Sequence, residues 1–442
     1  MESILEKLTS LAKRRGLIFQ NSEIYGGLAS TWDYGPIGAE LKKNIKDYWW
    51  NYHVYQRDDI VALDSSILSL NKVWETSGHA QNFSDPLLEC KECNARFRSD
   101  VLDNTKGICP TEKCSNSKFG DPREFNMMFK TNIGPVVSDT SEIFLRPETA
   151  QGIFVNFENI LNTSRKKIPF GVAQIGKAFR NEITTGNFIF RTREFEMMEI
   201  EYFVKPDDGE KYYKEWINSS MEFILSLNIN KSNLRLREHT KEDLSHYSKG
   251  TTDIEYKFPW GWAELQGIAN RGSFDLDAHS KSASKNFSIF EESTKSRYTP
   301  YVIEPSIGVD RLLLITLLDA YTEEKIESKE ETRTVLKLSP KISPIKIAIL
   351  PLSKDPKLSE LSKKIQKDLI NKGNLGKIEY DETQSIGRRY RRQDEIGTPY
   401  CVTIDFETIN DNSVTIRHRD SMDQERINIS DLSQKLTSEI YN

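Results

Sequence analysis

The sequence is short of the residues that build several familiar kinds of site. Five cysteines in 442 residues are too few for the disulfide framework of a secreted protein. The six histidines are scattered, with no Ser/His/Asp or Cys/His grouping for nucleophilic catalysis. No apolar run is long enough to span a bilayer, and there is no internal repeat or long low-complexity stretch. Net charge is only −5, so no global basic field advertises nucleic acid, and such a partner would need a local patch. The fingerprint G-x-G-x-x-G is missing, as is a regular strand–helix rhythm, which argues against a Rossmann domain. What is present is an ordinary globular composition, 37% hydrophobic and 29% charged, in a chain long enough for two or three domains. The opening MESILEKLTSLAKRRG places Ile4, Leu5, Leu8 and Leu11 on one helical stripe, with Glu2 and Glu6 among them. That is an amphipathic helix rather than a secretory or import leader, so a cytoplasmic location is expected.

Four of the cysteines cluster as Cys90, Cys93, Cys109 and Cys114. The spacing C-x2-C-x15-C-x4-C suits a tetrahedral structural zinc; four thiolates leave no open position for catalysis. The alternative is an insertion whose thiols hold no metal. Cys401 stands alone in the apolar run YCVTIDF and reads as a buried strand residue.

The stretch Gly171–Glu182, GVAQIGKAFRNE, comes close to the phosphate loop G-x-x-x-x-G-K-[ST]. Ala178 stands where that loop needs a hydroxyl for Mg²⁺, so the stretch reads better as a strand leading into a turn. Runs such as EIFLRP, FEMMEIEYF and TDIEYKF read as strands of a mostly antiparallel sheet. A charged run, EEKIESKEETRT, follows the apolar helix LLLITLLDAY, and Pro340 and Pro344 come soon after. These place a domain boundary near residue 340. IKIAILPLS, a helix around Leu358–Leu369 and further short strands then suggest a small α/β domain.

The residues after Lys177 form a strand, a polar loop and a second strand. Residues two apart in a strand share a face, so Arg180 pairs with Glu182, and Arg191 and Arg193 with Phe195. Arginines can fork onto phosphate oxygens. An aromatic ring can stack on a base, and a glutamate can accept from an adenine amino group. A salt-bridged surface hairpin would show the same residues.

FRNE and FRTREF resemble motif 2 of the class II aminoacyl-tRNA synthetases. Almost the whole chain is similar to glycyl-tRNA synthetases of the dimeric, single-polypeptide type. SEIYGG and DYGPIGAELKKNIKDYWW resemble the motif 1 region. VWETSGHAQNFSDP, FLRPETAQGIF, GWAELQGIANRGSFDLDAH and EPSIGVDRLLL resemble active-site segments, and RRYRRQDEIGTPYCVTIDFE an anticodon-binding domain. The resemblance implies an α+β fold: an antiparallel class II sheet flanked by helices over 1–340, with insertions near 88–122 and 205–250, then an anticodon-binding domain over 341–442. It implies ATP-dependent formation of glycyl-adenylate, then transfer to the terminal adenosine of tRNA(Gly). The glycine carboxylate is ionised at neutral pH and needs no general base, so Arg and Glu positions carry the chemistry.

By resemblance, Arg180 holds the α-phosphate and Glu182 reads the adenine. Phe195 stacks on the adenine, with Arg311 on its other side or on the γ-phosphate. The nucleotide set extends to Asn181, Phe190, Arg191, Thr192, Arg193, Glu194, Glu264, Leu265, Gly308, Val309 and Asp310. Glu264 is the candidate Mg²⁺ ligand beside ATP phosphates. The glycine set is Arg98, Glu148, Phe195, Glu196, Met197, Met198, Glu199, Glu304, Pro305, Ser306, Ile307 and Gly308. Acids hold the ammonium, and packed walls exclude a methyl. His79 is the one histidine near these segments. Every competing amino acid is larger than glycine, so no editing domain is expected. Arg388, Arg389, Arg391 and Arg392 around Tyr390 form a basic patch suited to tRNA phosphates and unstacked bases. Leu41, Ile45, Tyr48 and Trp49 share one helical stripe, suited either to a homodimer interface or to an internal core. A non-catalytic nucleic-acid-binding protein that kept the fold would be expected to lose the motif arginines or the motif 2 glutamate, and Arg180, Glu182 and Arg311 are all here. The sequence leaves open a side activity making dinucleoside polyphosphates.

Overall fold

The computed structural model describes residues 3–98, 107–111, 114–136, 141–182, 186–241, 244, 248–326 and 331–441, without the side chains of 85, 98, 326 and 331. The opening helix, α1 (Ile4–Arg14), begins with a capping box between Ser3 and Glu6 and buries Leu8, Leu11 and Ala12. Gly35 and then Pro36 start α2 (Pro36–Trp50), with proline in the first turn, where its missing N–H is no loss. Leu41, Ile45 and Trp49 of α2 are buried in the chain's own core. The stripe therefore faces inward, and a partner subunit has no access to it. At Gly38 the helix meets the preceding chain so closely that a Cβ would lie 1.8 Å from the Leu17 carbonyl oxygen.

The main sheet has seven strands: β1 (Ile60–Ala62), β2 (Phe170–Phe179), β3 (Glu194–Val204), β4 (Leu234–Glu238), β5 (Gly250–Phe258), β6 (Gly261–Gly272) and β7 (Tyr301–Gly308). Their order is β4-β5-β6-β7-β3-β2-β1. Only β1 runs parallel to its neighbour; the other pairs are antiparallel. The stretch that approaches a phosphate loop lies in β2, and no helix directly follows it among the described residues. At Gly176 a Cβ would lie 2.3 Å from the Arg146 guanidinium, which runs beneath the strand. The segment expected as a second insertion, 205–250, supplies edge strand β4 and a helix, α4 (Gly209–Leu225), that buries Trp216, Phe223 and Ile224 in the main core. Between α2 and α4 along the chain lies α3 (Ala150–Val155); later come α5 (Phe274–Ala283) and α6 (Val309–Ala320). The apolar α6 buries Leu312 through Leu317 in the core.

The charged run after α6 forms two paired strands, Tyr321–Ile326 and Glu331–Leu336. A second core follows, built on β8 (Ile347–Pro351), α7 (Pro356–Lys372), β9 (Ile378–Tyr380), α8 (Ile386–Ile396), β10 (Tyr400–Ile404), β11 (Ser413–His418), β12 (Gln424–Asn428) and α9 (Ile429–Tyr441). Its sheet order is β9-β8-β10-β11-β12, parallel on one side and antiparallel on the other. Cys401 is buried in β10, where burial pushes its thiol up to about 12. No described helix is long and apolar enough to cross a membrane.

Candidate active site

Side chains alternate across a strand, so one face of the main sheet can be read row by row. Cross-strand pairing puts Asp253, Gly267, Ser306, Glu199 and Gln174 in one row. The next row on that face carries Thr251, Ala269 and Glu304. All of these but Gln174 floor a cavity of about 520 Å³, the size of a small-molecule site. The loop and helix ahead of α3 and the two arms of the β2–β3 hairpin wall it. Arg180, Glu182, Phe190, Arg191, Thr192, Phe195, Met197, Glu148, Glu264, Leu265, Gly308, Asp310 and Arg311 all line it with the floor residues.

At one end of the cavity, Arg180 lies 5.3 Å over the Phe195 ring and its Nε donates to the Pro147 carbonyl at 3.0 Å. Glu182 is 7% exposed, and its buried Oε2 has no hydrogen-bond partner among the described residues. Arg191 Nη1 stands 4.0 Å from that oxygen. Arg311 stacks on Phe190 at 4.5 Å, not on Phe195, and its Nη1 lies 3.3 Å from Glu264 Oε1. That guanidinium holds the Glu264 carboxyl below the usual carboxylate range. The Glu264 side chain is 52% exposed, open to the cavity.

At the other end four acids gather. Glu148 Oε2 meets His79 Nε2 at 3.0 Å, and Gln151 Nε2 donates to Glu148 Oε1 at 3.1 Å. Ser77 Oγ, 2.8 Å from His79 Nδ1, fixes the ring. Burial pushes Glu148 up, but His79 and Arg271 outweigh it and hold the acid ionised well below its ordinary value. Arg271 Nη1 donates to Glu304 Oε2 at 2.6 Å while its Nε bonds Asp275 Oδ2 at 2.7 Å. Thr149 Oγ1 donates to Glu199 Oε2. Burial, with Glu304 and Glu148 nearby, raises Glu199 well above the ordinary carboxylate range. Glu304 is raised by burial in spite of Arg271.

Several expected residues lie elsewhere. Met198, Pro305, Ile307 and Val309 are buried away from the cavity; Met198, Ile307 and Val309 belong to the main core. Glu196 bonds Lys46 at 2.9 Å and pairs with Lys42 at 2.9 Å, outside the cavity, so it does not serve glycine. Lys42 also bonds Asp310 Oδ1 at 2.9 Å, while Asp310 Oδ2 accepts from the Glu196 N–H at 3.0 Å. These contacts tie α2 to the strand and helix that carry Phe195 and Arg311. Glu194 is exposed and pairs with Lys177. Arg193 donates to the Glu182 and Ala29 carbonyls, each at 3.2 Å. Asn181 does not line the cavity; its backbone N–H bonds the Met127 carbonyl at 2.7 Å. The Arg98 side chain lies outside the described residues.

Sequence reasoning missed His239 and Asp253, joined at 2.7 Å, and Thr251, all of which line the cavity. Thr251 and Asp253 alternate along β5, which was a usable signal; nothing in the sequence marked His239. In the C-terminal core, Arg389 is 1% exposed, and its Nη1 donates to the Pro351 and Asp381 carbonyls at 2.6 and 3.0 Å. It is structural and out of reach of a phosphate. Arg392 bonds Thr383 O at 2.7 Å and pairs with Asp381. Arg391 stands 3.7 Å from Asp394, and Arg417 covers the Tyr390 ring at 4.8 Å. Arg388 is exposed.

The order of these segments along the chain matches known proteins. Residues 129–320 match the tRNA synthetase class II core domain (G, H, P, S and T), and residues 346–439 match an anticodon binding domain. The chain is 51% identical to the glycine–tRNA ligase of Thermobifida fusca, over 99% of this chain and 98% of that one. It is 53% identical to that of Acetivibrio thermocellus, over 98% and 97%, and 52% identical to that of Borreliella burgdorferi, over 99% and 98%. The chain belongs to the glycine–tRNA ligase family. The class II core and the anticodon-binding domain agree with the α+β fold expected from the sequence.

Proposed function

We propose that the chain carries out its family's reaction, ATP-dependent activation of glycine followed by transfer to the terminal adenosine of tRNA(Gly), with the cavity as its active site. The observation that carries the reading is the buried Glu182 Oε2, which has no hydrogen-bond partner among the described residues. It shares one cavity with two arginines and a cluster of acids. A buried acceptor without a donor is costly unless a ligand supplies one, and an adenine amino group would do so. Phe195 and Arg311 hold the nucleotide's ring and phosphate ends, and Arg180 grips the α-phosphate. The glycine ammonium sits against Glu148, Glu199 and Glu304, beside Ser306, which aims its carboxylate at that phosphorus. Attack forms the mixed anhydride and expels pyrophosphate. Arg180 and Arg311 stabilise the charge that develops on the phosphates. Glu264 faces the phosphate end of the cavity and fits a Mg²⁺ that keeps few protein ligands; bound there, the ion would screen the phosphate charge.

The cysteine segment fits zinc. Sγ atoms are 3.7 Å apart for Cys90–Cys114 and for Cys93–Cys109, and all four lie within 4.8 Å of one another. Zinc–sulfur bonds of about 2.3 Å in a tetrahedron separate the sulfurs by about 3.8 Å. The Cys93 backbone N–H and the Asn116 amide pull the Cys90 thiol down to about 6, toward the thiolate a metal needs.

We infer a cytoplasmic homodimer, as the family resemblance implies. Exposed Ile24, Tyr25 and Leu28 beside α2 are the apolar surface that supports a partner. The reading also divides the chain near residue 340, with Arg388 as the remaining exposed tRNA contact.

ATP–pyrophosphate exchange with glycine, alanine and serine in parallel tests the reading. Exchange with glycine alone, abolished by Arg180→Ala, is the expected result. Folded, magnesium-supplied protein that exchanges with none of the three would overturn it.

A further inference from the structure

Behind the acids that line the cavity lies a fifth carboxylate with no assigned role. Glu201 is two residues beyond Glu199 on β3, so both side chains take the same face of the sheet. It is fully buried, and among the described residues neither of its oxygens has a hydrogen-bond partner. One oxygen from each of Glu199, Glu201 and Glu304 lies within 4.8 Å of the others. The charged groups facing Glu201 are Glu304 on β7, Arg271 on β6, Asp275 on α5 and Glu199 on its own strand. Glu148, paired with His79, lines the cavity and adds its charge to Glu199 and Glu304.

The donors are unevenly shared. Glu148 has His79 and Gln151. Glu199 has the Thr149 hydroxyl, and Glu304 has Arg271. A donor stabilises the ionised form of an acid. Of the two strongly raised acids, Glu199 keeps the Thr149 hydroxyl while Glu201 has no donor among the described residues, so a proton taken up by this crowded cluster settles on Glu201. Burial and the charge of Glu304 push its carboxyl in the same direction, well above the ordinary range.

We propose that Glu201 is a positioning residue that stores a proton behind the ammonium pocket, and that glycine binds in exchange for this proton. The proposal rests on the glycine reading above. The incoming ammonium brings one positive charge to the face formed by Glu148, Glu199 and Glu304. Glu201 then releases its proton to solvent, so the charge of the buried cluster is conserved. Glycine and the proton therefore compete, and acid weakens glycine binding through Glu201.

The test is the KM for glycine in pyrophosphate exchange between about pH 6 and 8.5, below the titration of glycine's own amine. Wild-type protein is compared with Glu201→Gln and Glu201→Asp, the KM for ATP is followed in parallel, and glycine is titrated calorimetrically in two buffers of different ionisation enthalpy. Wild-type KM for glycine should rise toward acid pH, approaching tenfold per unit, with close to one proton released on binding. Glu201→Gln, fixed in the uncharged form, should give a flat profile that meets the wild-type value at the acid end, release almost no proton and leave the KM for ATP unchanged. Glu201→Asp should restore the slope. A Glu201→Gln profile as steep as wild type, or a wild-type protein that releases no proton on binding glycine, overturns the assignment while leaving glycine activation intact. Absence of any glycine-dependent exchange in the wild type overturns both.

Discussion

Glu182 offers the sharpest test of how the nucleotide is read. Its Oε2 is buried with no hydrogen-bond partner among the described residues, and Arg191 Nη1 is 4.0 Å away. An adenine amino group would be its first donor. A hydrogen bond to a charged acceptor contributes about 1.5–3 kcal/mol, roughly 10- to 150-fold in kcat/KM. Inosine triphosphate carries a carbonyl oxygen where ATP carries the amino group, so it sets acceptor against acceptor. Wild-type protein should therefore favour ATP over inosine triphosphate by at least that factor, because the unsuitable base leaves a buried carboxylate unpaired. Glu182→Ala should lower kcat/KM for ATP by about 10- to 150-fold while changing the inosine nucleotide little, so that discrimination nearly vanishes. The assay is pyrophosphate exchange at saturating glycine with each nucleotide, alongside thermal melting. A Glu182→Ala protein with an unchanged melting curve and undiminished preference for ATP would refute the assignment of Glu182 to the adenine amino group.

Protein purified without chelators should carry one zinc per chain by metal analysis, and stripping it should raise hydrogen exchange across 84–98 and 107–126; metal-free protein with the same protection would exclude the site. Arg388→Ala should weaken tRNA binding and lower its salt slope by about one, whereas Arg389→Ala, which strands the Pro351 and Asp381 carbonyls, should cost about 1–3 kcal/mol of C-terminal stability in urea unfolding. Burial pushes the Lys346 ammonium down to about 7 although it bonds the Pro340 and Lys341 carbonyls. Between that value and its unfolded value near 10.4 the unfolded chain binds the extra proton, so stability should rise with pH by up to about 1.4 kcal/mol per unit. Lys346→Met should flatten that rise when unfolding is compared at about pH 7.5 and 9.5.

How far the site could be read in advance depended on what kind of force places each residue. Arg180, Glu182, Phe195 and Arg311 stand in short motifs whose spacing reflects a strand, a turn and a helix start; the family resemblance marked them, where local pattern alone fitted a surface hairpin or an ordinary helix start equally well. The glycine segments were read as contiguous runs, 195–199 and 304–308. A strand cannot turn neighbours to one side, so Glu199, Glu304 and Ser306 reach the cavity while Met198, Pro305 and Ile307 go the other way. Strict alternation applied to FEMMEIEYF would have made that division and put Glu201 beside Glu199. The charged run after α6 shows a different limit. Arg333 is 1% exposed, bonding Glu324 Oε2 at 2.7 Å and Asp394 Oδ2 at 3.1 Å. A polar composition usually marks a solvated linker, but here the charges neutralise one another inside a contact with α8. Arg389 and Arg392 follow the same rule: a cluster of arginines looks like a nucleic-acid surface until carbonyls and carboxylates from other elements claim it. Long-range partners decide whether a charge is a ligand contact or part of the core, and no window of sequence contains them. The same limit applied to Arg271, whose partners Asp275 and Glu304 lie 4 and 33 residues away. Only the nearer one falls within helical reach, yet the farther one links this arginine to the ammonium pocket.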